Sequence, residues 1–182
     1  MPYSQGDWPT LPAMMLSRAA QWADRPLFRH WQGGAWRSLK WGDFALQVAS
    51  VAAFLRGRGI GPGDRVLLVS ENRPEFPIAD TAIMAIGAIT VPTYTTNLPS
   101  DHAHILRDSG ARAAIVSTRK LAEKVLEGAA LAAGLDLLVC IEDPPTTAGL
   151  AGHRWDEALA TPGDVAMLAA EAAAAPPDSL AC

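Results

Sequence analysis

Three short apolar runs without interruption limit the possible folds of this chain more than any other feature: Val-Leu-Leu-Val at residues 66–69, Ala-Ala-Ile-Val at 113–116 and Leu-Leu-Val-Cys-Ile at 137–141. A strand with one wet face alternates apolar and polar residues. A strand apolar at every position must be buried on both faces, as in a parallel sheet with helices on either side. Between the runs the period changes. Pro74 suits the first turn of a helix whose inward residues are Phe76, Ala79, Ala82, Ile83 and Ile86, and Gly87 ends it. A further strand at 88–91 completes a βαβ unit with a right-handed crossover. The chain then leaves through Pro92 into the polar turn Thr93-Tyr94-Thr95-Thr96-Asn97. Loops that leave the carboxyl ends of strands are where open α/β sheets bind ligands. The predicted class is α/β, a mostly parallel sheet flanked by helices.

The remaining segments fit around that sheet. Leu11, Met15, Ala19 and Trp22 are spaced for one face of a helix over 11–22. Residues 27–30 and 35–39 read as a short N-terminal β-hairpin turning at Gly33-Gly34 and carrying no evident chemistry. Trp41, Phe44, Val48, Val51 and Leu55 form the stripe of a helix of about four turns. Gly57, Gly59, Gly61 and Gly63 then follow a helix and precede a strand. A phosphate cradle needs the opposite order, so they read as a helix C-cap and tight turn. Pro99 starts another helix, with Asp101 in its first turn, closing at Gly110, and residues 119–131 form the next, with Leu121, Val125 and Ala129 inward. After Glu142 the pattern weakens, with a short helix at 155–160 and an Ala-rich stretch at 165–175. The predicted organisation is an α/β subdomain over 1–161 followed by an Ala/Pro-rich segment over 162–182.

With 182 residues, 49% of them hydrophobic and 19% charged, the chain can bury one full core. A net charge of −4 gives no electrostatic reason to expect nucleic acid or an anionic surface as partner. The apolar stretch at 78–91 is too short and too interrupted for a transmembrane segment, and the N-terminus lacks the pattern of a secretory signal. Cys140 and Cys182 form no disulfide framework, which points to a reducing, cytoplasmic setting.

Several residues invite a chemical interpretation. Asp101, His102 and His104 have metal-ligating types, but residues two apart on a helix point in different directions, and a solvated helix end is the simpler expectation. Asp80, inside an apolar helix, is either a buried carboxylate or solvent-facing. Ser70, Ser109 and Ser117 lie near element ends without a nucleophile-elbow context.

Leu39-Lys40-Trp41-Gly42-Asp43-Phe44 resembles the opening signature of AMP-forming adenylating enzymes, the superfamily of acyl-CoA synthetases, luciferases and peptide-synthetase adenylation domains. Gly61-Pro62-Gly63-Asp64-Arg65-Val66, Asn72-Arg73-Pro74-Glu75-Phe76, Gly87-Ala88-Ile89-Thr90-Val91-Pro92 and Asp108-Ser109-Gly110-Ala111-Arg112 resemble its next segments, in order. Lys40 departs from the usual Thr N-cap, forgoing about 1 kcal/mol. The Pro92 to Thr96 turn and the closing Pro177-Asp178-Ser179-Leu180-Ala181-Cys182 look most like the long-chain fatty acyl-CoA synthetase branch. The resemblance implies a ligase that uses ATP, Mg and CoA to convert a fatty acid to acyl-CoA through an acyl-adenylate. It also implies that the phosphate loop and catalytic lysine belong to a missing C-terminal portion, so that the chain alone is inactive and binds these ligands poorly. Tyr94, Thr95 and Thr96 would lie beside the CoA tunnel. The resemblance further suggests a cytoplasmic protein, with peripheral membrane contact as an option, that self-associates through uncovered apolar surface. The alternative is a free-standing, non-catalytic module of Rossmann or flavodoxin type, although no Gly-x-Gly-x-x-Gly follows a strand.

Overall fold

The structure, a computed structural model, describes residues 8–132, 134–146 and 149–181, which leaves Cys182 and the first seven residues outside it. Helix α1 (Leu11–Gln21) is capped by Thr10, whose hydroxyl accepts from the Ala13 N–H at 3.2 Å. Its buried face is Pro12, Ala13, Leu16 and Ala19, whereas Leu11 is 52% exposed. The predicted stripe is therefore rotated. Spacing alone leaves the facing side open, and α1 turns the Ala13–Leu16 side toward its neighbours.

Strands β1 (Pro26–Gln32) and β2 (Ala35–Lys40) form the expected antiparallel hairpin. Gly33 and Gly34 have φ of 60° and 78°, the positive values that a two-residue turn of this twist requires at both positions. Helix α2 (Trp41–Arg56) buries Phe44, Val48, Val51 and Leu55 as predicted, and also Ala45, Ala49, Ala52 and Phe54, because α1, α3 and the last two helices surround it. Lys40 makes no side-chain cap.

A tight turn follows, in which the Asp64 carboxylate accepts from the Gly61 N–H at 2.8 Å and the Gly63 N–H donates to the Gly87 carbonyl at 2.8 Å. The chain then alternates β3 (Arg65–Val69), α3 (Glu75–Ala85), β4 (Ile89–Pro92), α4 (Pro99–Ser109), β5 (Ala113–Val116), α5 (Arg119–Leu131) and β6 (Leu137–Cys140). A short strand, β7 (Ala151–Arg154), precedes α6 (Trp155–Ala160) and α7 (Val165–Ala174). The five strands of this sheet are parallel, in the order β4-β3-β5-β6-β7. From β3 the chain runs out to the edge at β4 and returns to the other side of β3, so the strand order reverses between β3 and β5. Doubly wound sheets of this flavodoxin-like order bind ligands at the carboxyl end of that junction.

Side chains alternate across the sheet between two cores. Val66, Leu68, Ile115 and Val139 face the layer of α1, α2, α3, α6 and α7, while Leu67, Val69, Val116, Leu138 and Cys140 face α4 and α5. Both faces of the sheet are thus covered, as the uninterrupted apolar runs require. The sequence expectation contains no β7, because Ala-Gly-His-Arg is polar and lies at the edge of the sheet. On the other edge, the Thr90 N–H donates outward to the Ala181 carbonyl at 3.0 Å. Helix α7 is capped by Asp164, packs Leu168 and Ala172 inward, and is tied to α2 by the Arg56–Glu171 ion pair. Among the described residues, no helix is long and apolar enough to cross a membrane.

Candidate functional site

The carboxyl ends of β3 and β4 open onto a cleft of about 560 Å³. One wall is the β3–α3 loop with Ser70, Glu71, Asn72 and, at the start of α3, Phe76. The other is the turn after β4, with Thr93, Tyr94 and Thr95. Phe76 supplies an apolar floor between polar walls. Tyr94 is 80% exposed at the mouth of the cleft. Thr95 is half-buried, and Thr96 is exposed and lies outside the lining. The structure thus brings Tyr94 and Thr95 to one wall.

The turn is held by backbone and side-chain bonds that fix its shape. The Thr93 N–H donates to the Leu68 carbonyl at 3.0 Å, the Asn97 N–H to the Tyr94 carbonyl at 3.2 Å, and the Lys124 ammonium to the Asn97 carbonyl at 3.2 Å. The opposite wall is anchored at the switch point. Ser117, fully buried at the end of β5, donates its hydroxyl to the Glu71 carboxylate, and the Ser117 N–H reaches the Val69 carbonyl at 3.0 Å. Nothing in the sequence pairs Ser117 with Glu71, since the contact depends on β3 and β5 being neighbours. Arg73 bonds Glu75 at 2.9 Å and approaches Glu142 at 3.5 Å, with Glu75 the main cause of its raised pKa.

The other residues singled out from the sequence lie elsewhere. Asp80 is half-buried on α3; burial pushes its carboxyl up, partly offset by the Thr90 hydroxyl. Ser109 caps its own helix, donating to the Ile105 carbonyl at 2.7 Å. Burial raises the Cys140 thiol, so it is a poor nucleophile. Asp101 accepts from the Leu98 N–H at 2.9 Å and caps α4. His104 is exposed, but His102 is not at a solvated helix end: it is fully buried between α4 and α5, with no hydrogen-bond partner on either ring nitrogen. Gly128 on α5 allows this close approach, since a Cβ there would stand 2.8 Å from that of His102. Among the described residues no three His, Cys, Asp or Glu side chains converge as a metal site.

Burial first, and then the Lys124 charge, lower the His102 pKa below its ordinary 6.5, while Asp101 works in the opposite direction. A depressed pKa in the folded state favours the neutral ring, so its contribution to stability is complete above pH 6.5 and is lost as pH falls through the folded value. Urea unfolding is expected to show stability declining on acidification below that point, with a shallower decline for His102→Leu. Identical pH profiles for the two proteins would show that His102 is not the group responsible.

Residues 16–182 match the family model described as AMP-binding enzyme. The chain belongs to that family. It is 32% identical over 126 residues to the long-chain-fatty-acid–CoA ligase FadD15 of Mycobacterium tuberculosis, a match covering 69% of this chain and 21% of the relative. It is 37% identical over 131 residues to a feruloyl-CoA synthase of Amycolatopsis, covering 71% of this chain and 23% of that one. Among solved structures, the anthranilate CoA ligase AuaEII in complex with anthranoyl-AMP superposes with a TM-score of 0.72 at 21% identity, over 89% of this chain and 30% of that one. The chain spans less than a quarter of the length of these two curated relatives.

Proposed function

We propose that the chain is the N-terminal portion of an AMP-forming acyl-CoA ligase of the long-chain fatty acid branch. Such a ligase joins a fatty acid to CoA at the expense of ATP, releasing AMP and pyrophosphate. The observation that carries this reading is the family match over residues 16–182 of a chain that spans less than a quarter of the length of these two curated relatives. The likeness to FadD15 supports a long fatty chain as substrate, while the feruloyl-CoA synthase match supports the ligase class without selecting an acid.

The described residues do not fit Mg-ATP. The glycines at 57–63 cap a helix and enter a strand, and no metal cluster accompanies them. Adenylation depends on positioning the α-phosphate and neutralising its charge, so that work is assigned to parts of the ligase that the relatives have in addition to the matched region. The cleft beside Tyr94 and Thr95 does fit a narrow, partly polar ligand arm, and these residues, with Thr96 at its outer rim, are proposed CoA contacts. The Tyr94 phenol packs on the arm and the Thr95 hydroxyl is available to its amides. In a chain that continues through the phosphate loop, Tyr94→Ala is expected to raise the KM for CoA about tenfold, the loss of one aromatic contact. Acid-dependent pyrophosphate exchange should stay as it was. An unchanged KM for CoA would remove Tyr94 from the site. The proposed setting is the cytoplasm, with peripheral contact to a membrane.

A second reading, a non-catalytic module of flavodoxin-like order, is favoured by one observation: helices cover both faces of the sheet. Light scattering separates the two. A monodisperse monomer supports the module, and association through uncovered surface supports the portion of a larger enzyme.

A further inference from the structure

Helix α4 follows directly on the turn that carries Tyr94 and Thr95, and its first turn is held against α5 by an unusual contact. The His102 ring is fully buried there, and neither ring nitrogen meets a hydrogen-bond partner. The fit is close because α5 presents no side chain at that point: a Cβ on Gly128 would stand 2.7 Å from the Pro99 carbonyl oxygen and 3.0 Å from the Ala103 nitrogen. Ala103 and Leu106 of α4 and Leu121, Ala122, Val125 and Ala129 of α5 are buried in the same helix pair. The charge that faces the ring from α5 is Lys124, and on its own helix it is Asp101, whose carboxylate is turned to the Leu98 N–H. His104, Glu123 and Glu127 are exposed.

Lys124 joins this contact to the cleft. Its ammonium donates to the Asn97 carbonyl at 3.2 Å, the Asn97 N–H closes onto the Tyr94 carbonyl at 3.2 Å, and the Asn97 amide reaches the Thr93 hydroxyl at 3.5 Å. The turn is thus fixed at one end to β3, through the Thr93 N–H and the Leu68 carbonyl, and at the other to α5. The far end of the helix pair is tied separately, by Arg107 donating to the Leu131 carbonyl at 3.3 Å. A neutral His102 ring fits between the helices because it carries no charge. An imidazolium would be a buried cation with two N–H donors and no acceptor, beside a second cation, so protonation favours a state in which the ring reaches water.

We propose that protonation of His102 parts the first turn of α4 from α5, breaks the Lys124–Asn97 bond and frees the turn bearing Tyr94 and Thr95, so that acid loosens one wall of the cleft while the sheet stays folded. Burial and Lys124 hold the ring neutral, so the wall is fixed above pH 6.5 and released as pH falls through the folded value. As a control on CoA binding this device rests on the proposed function. The loosening itself does not.

The test is amide hydrogen exchange of the 182-residue chain by NMR, corrected for the intrinsic exchange rate and followed from above pH 6.5 down to the onset of global unfolding. The Asn97 and His102 amides are expected to lose protection about tenfold over the range in which the His102 ring titrates, whereas the Leu68 and Ile115 amides of β3 and β5 keep theirs. In His102→Leu the Asn97 protection should hold at its neutral value. In Lys124→Met it should be about fivefold lower at every pH. The ring titration in the parent decides the matter if His102→Leu does not fold. Protection lost equally in the strands would make the acid effect global and overturn the local device. A loss that persists in His102→Leu, or that departs from the ring titration, would assign it to another group and overturn the role of His102. Neither result touches the CoA assignment, which Tyr94→Ala decides, and an unchanged KM for CoA there would leave the loosening standing without that meaning.

Discussion

Gly163→Ala is expected to lower the melting temperature by on the order of ten degrees, the consequence of roughly 3 kcal/mol in a chain of this size. Gly163 lies between α6 and α7, against the middle of α2. A Cβ at this position would overlap the Ala49 carbonyl group and stand 2.6 Å from the Ser50 nitrogen. Those are backbone atoms of a helix whose inner face is fully packed, so they cannot yield as the end of a flexible side chain would. Relief requires the 161–164 segment to lift, which would pull Leu168 and Ala172 away from the core and strain the Arg56–Glu171 pair. Thermal unfolding by circular dichroism reads the effect. A melting temperature within a degree or two of the parent would mean that α7 does not sit on α2 as described.

Arg65→Ala is the second large effect, expected to cost about 2 to 3 kcal/mol in urea unfolding. The guanidinium fork donates to the Ser109 carbonyl at 2.7 Å, the Gly110 carbonyl at 3.0 Å and the Gly63 carbonyl at 2.9 Å. Two of these belong to the end of α4, where carbonyls lack helical partners and the helix dipole favours a cation. One side chain therefore ties the start of β3, the turn before it and the end of α4. Arg65→Lys should recover only part of the loss, because an ammonium cannot reproduce the planar fork. Full stability in Arg65→Lys would show that charge alone suffices, and full stability in Arg65→Ala that the fork contributes nothing.

Arg65 also shows where sequence information ends. The apolar runs at 66–69, 113–116 and 137–141 could be read as buried parallel strands because burial on both faces leaves no polar position, and β3, β5 and β6 follow, β6 ending one residue earlier at Cys140. The Gly33-Gly34 turn was equally legible, since few residues other than glycine accept its backbone angles. What could not be read depends on partners distant in sequence. Spacing gave α1 a stripe through Leu11, but the packing of α1 against its neighbours buries Leu16 instead. His102 looked solvated beside Asp101 and His104, and only the close approach of α5 at Gly128 encloses it. Strand β7 has no apolar signal because it is an edge. The turn after β4, legible from Pro92 and the polar residues that follow it, carries Tyr94 and Thr95 to the lining of the cleft. The buried Ser117 that holds Glu71 on the opposite wall required the sheet order that places β5 beside β3.

On the proposed function, adenylation is not carried out by these residues. The most direct measurement is fatty-acid-dependent exchange of pyrophosphate into ATP by the purified 182-residue chain. The predicted result is no exchange above the protein-free background at any magnesium or fatty acid concentration. Exchange that requires both the acid and the chain, and that survives further purification, would contradict it.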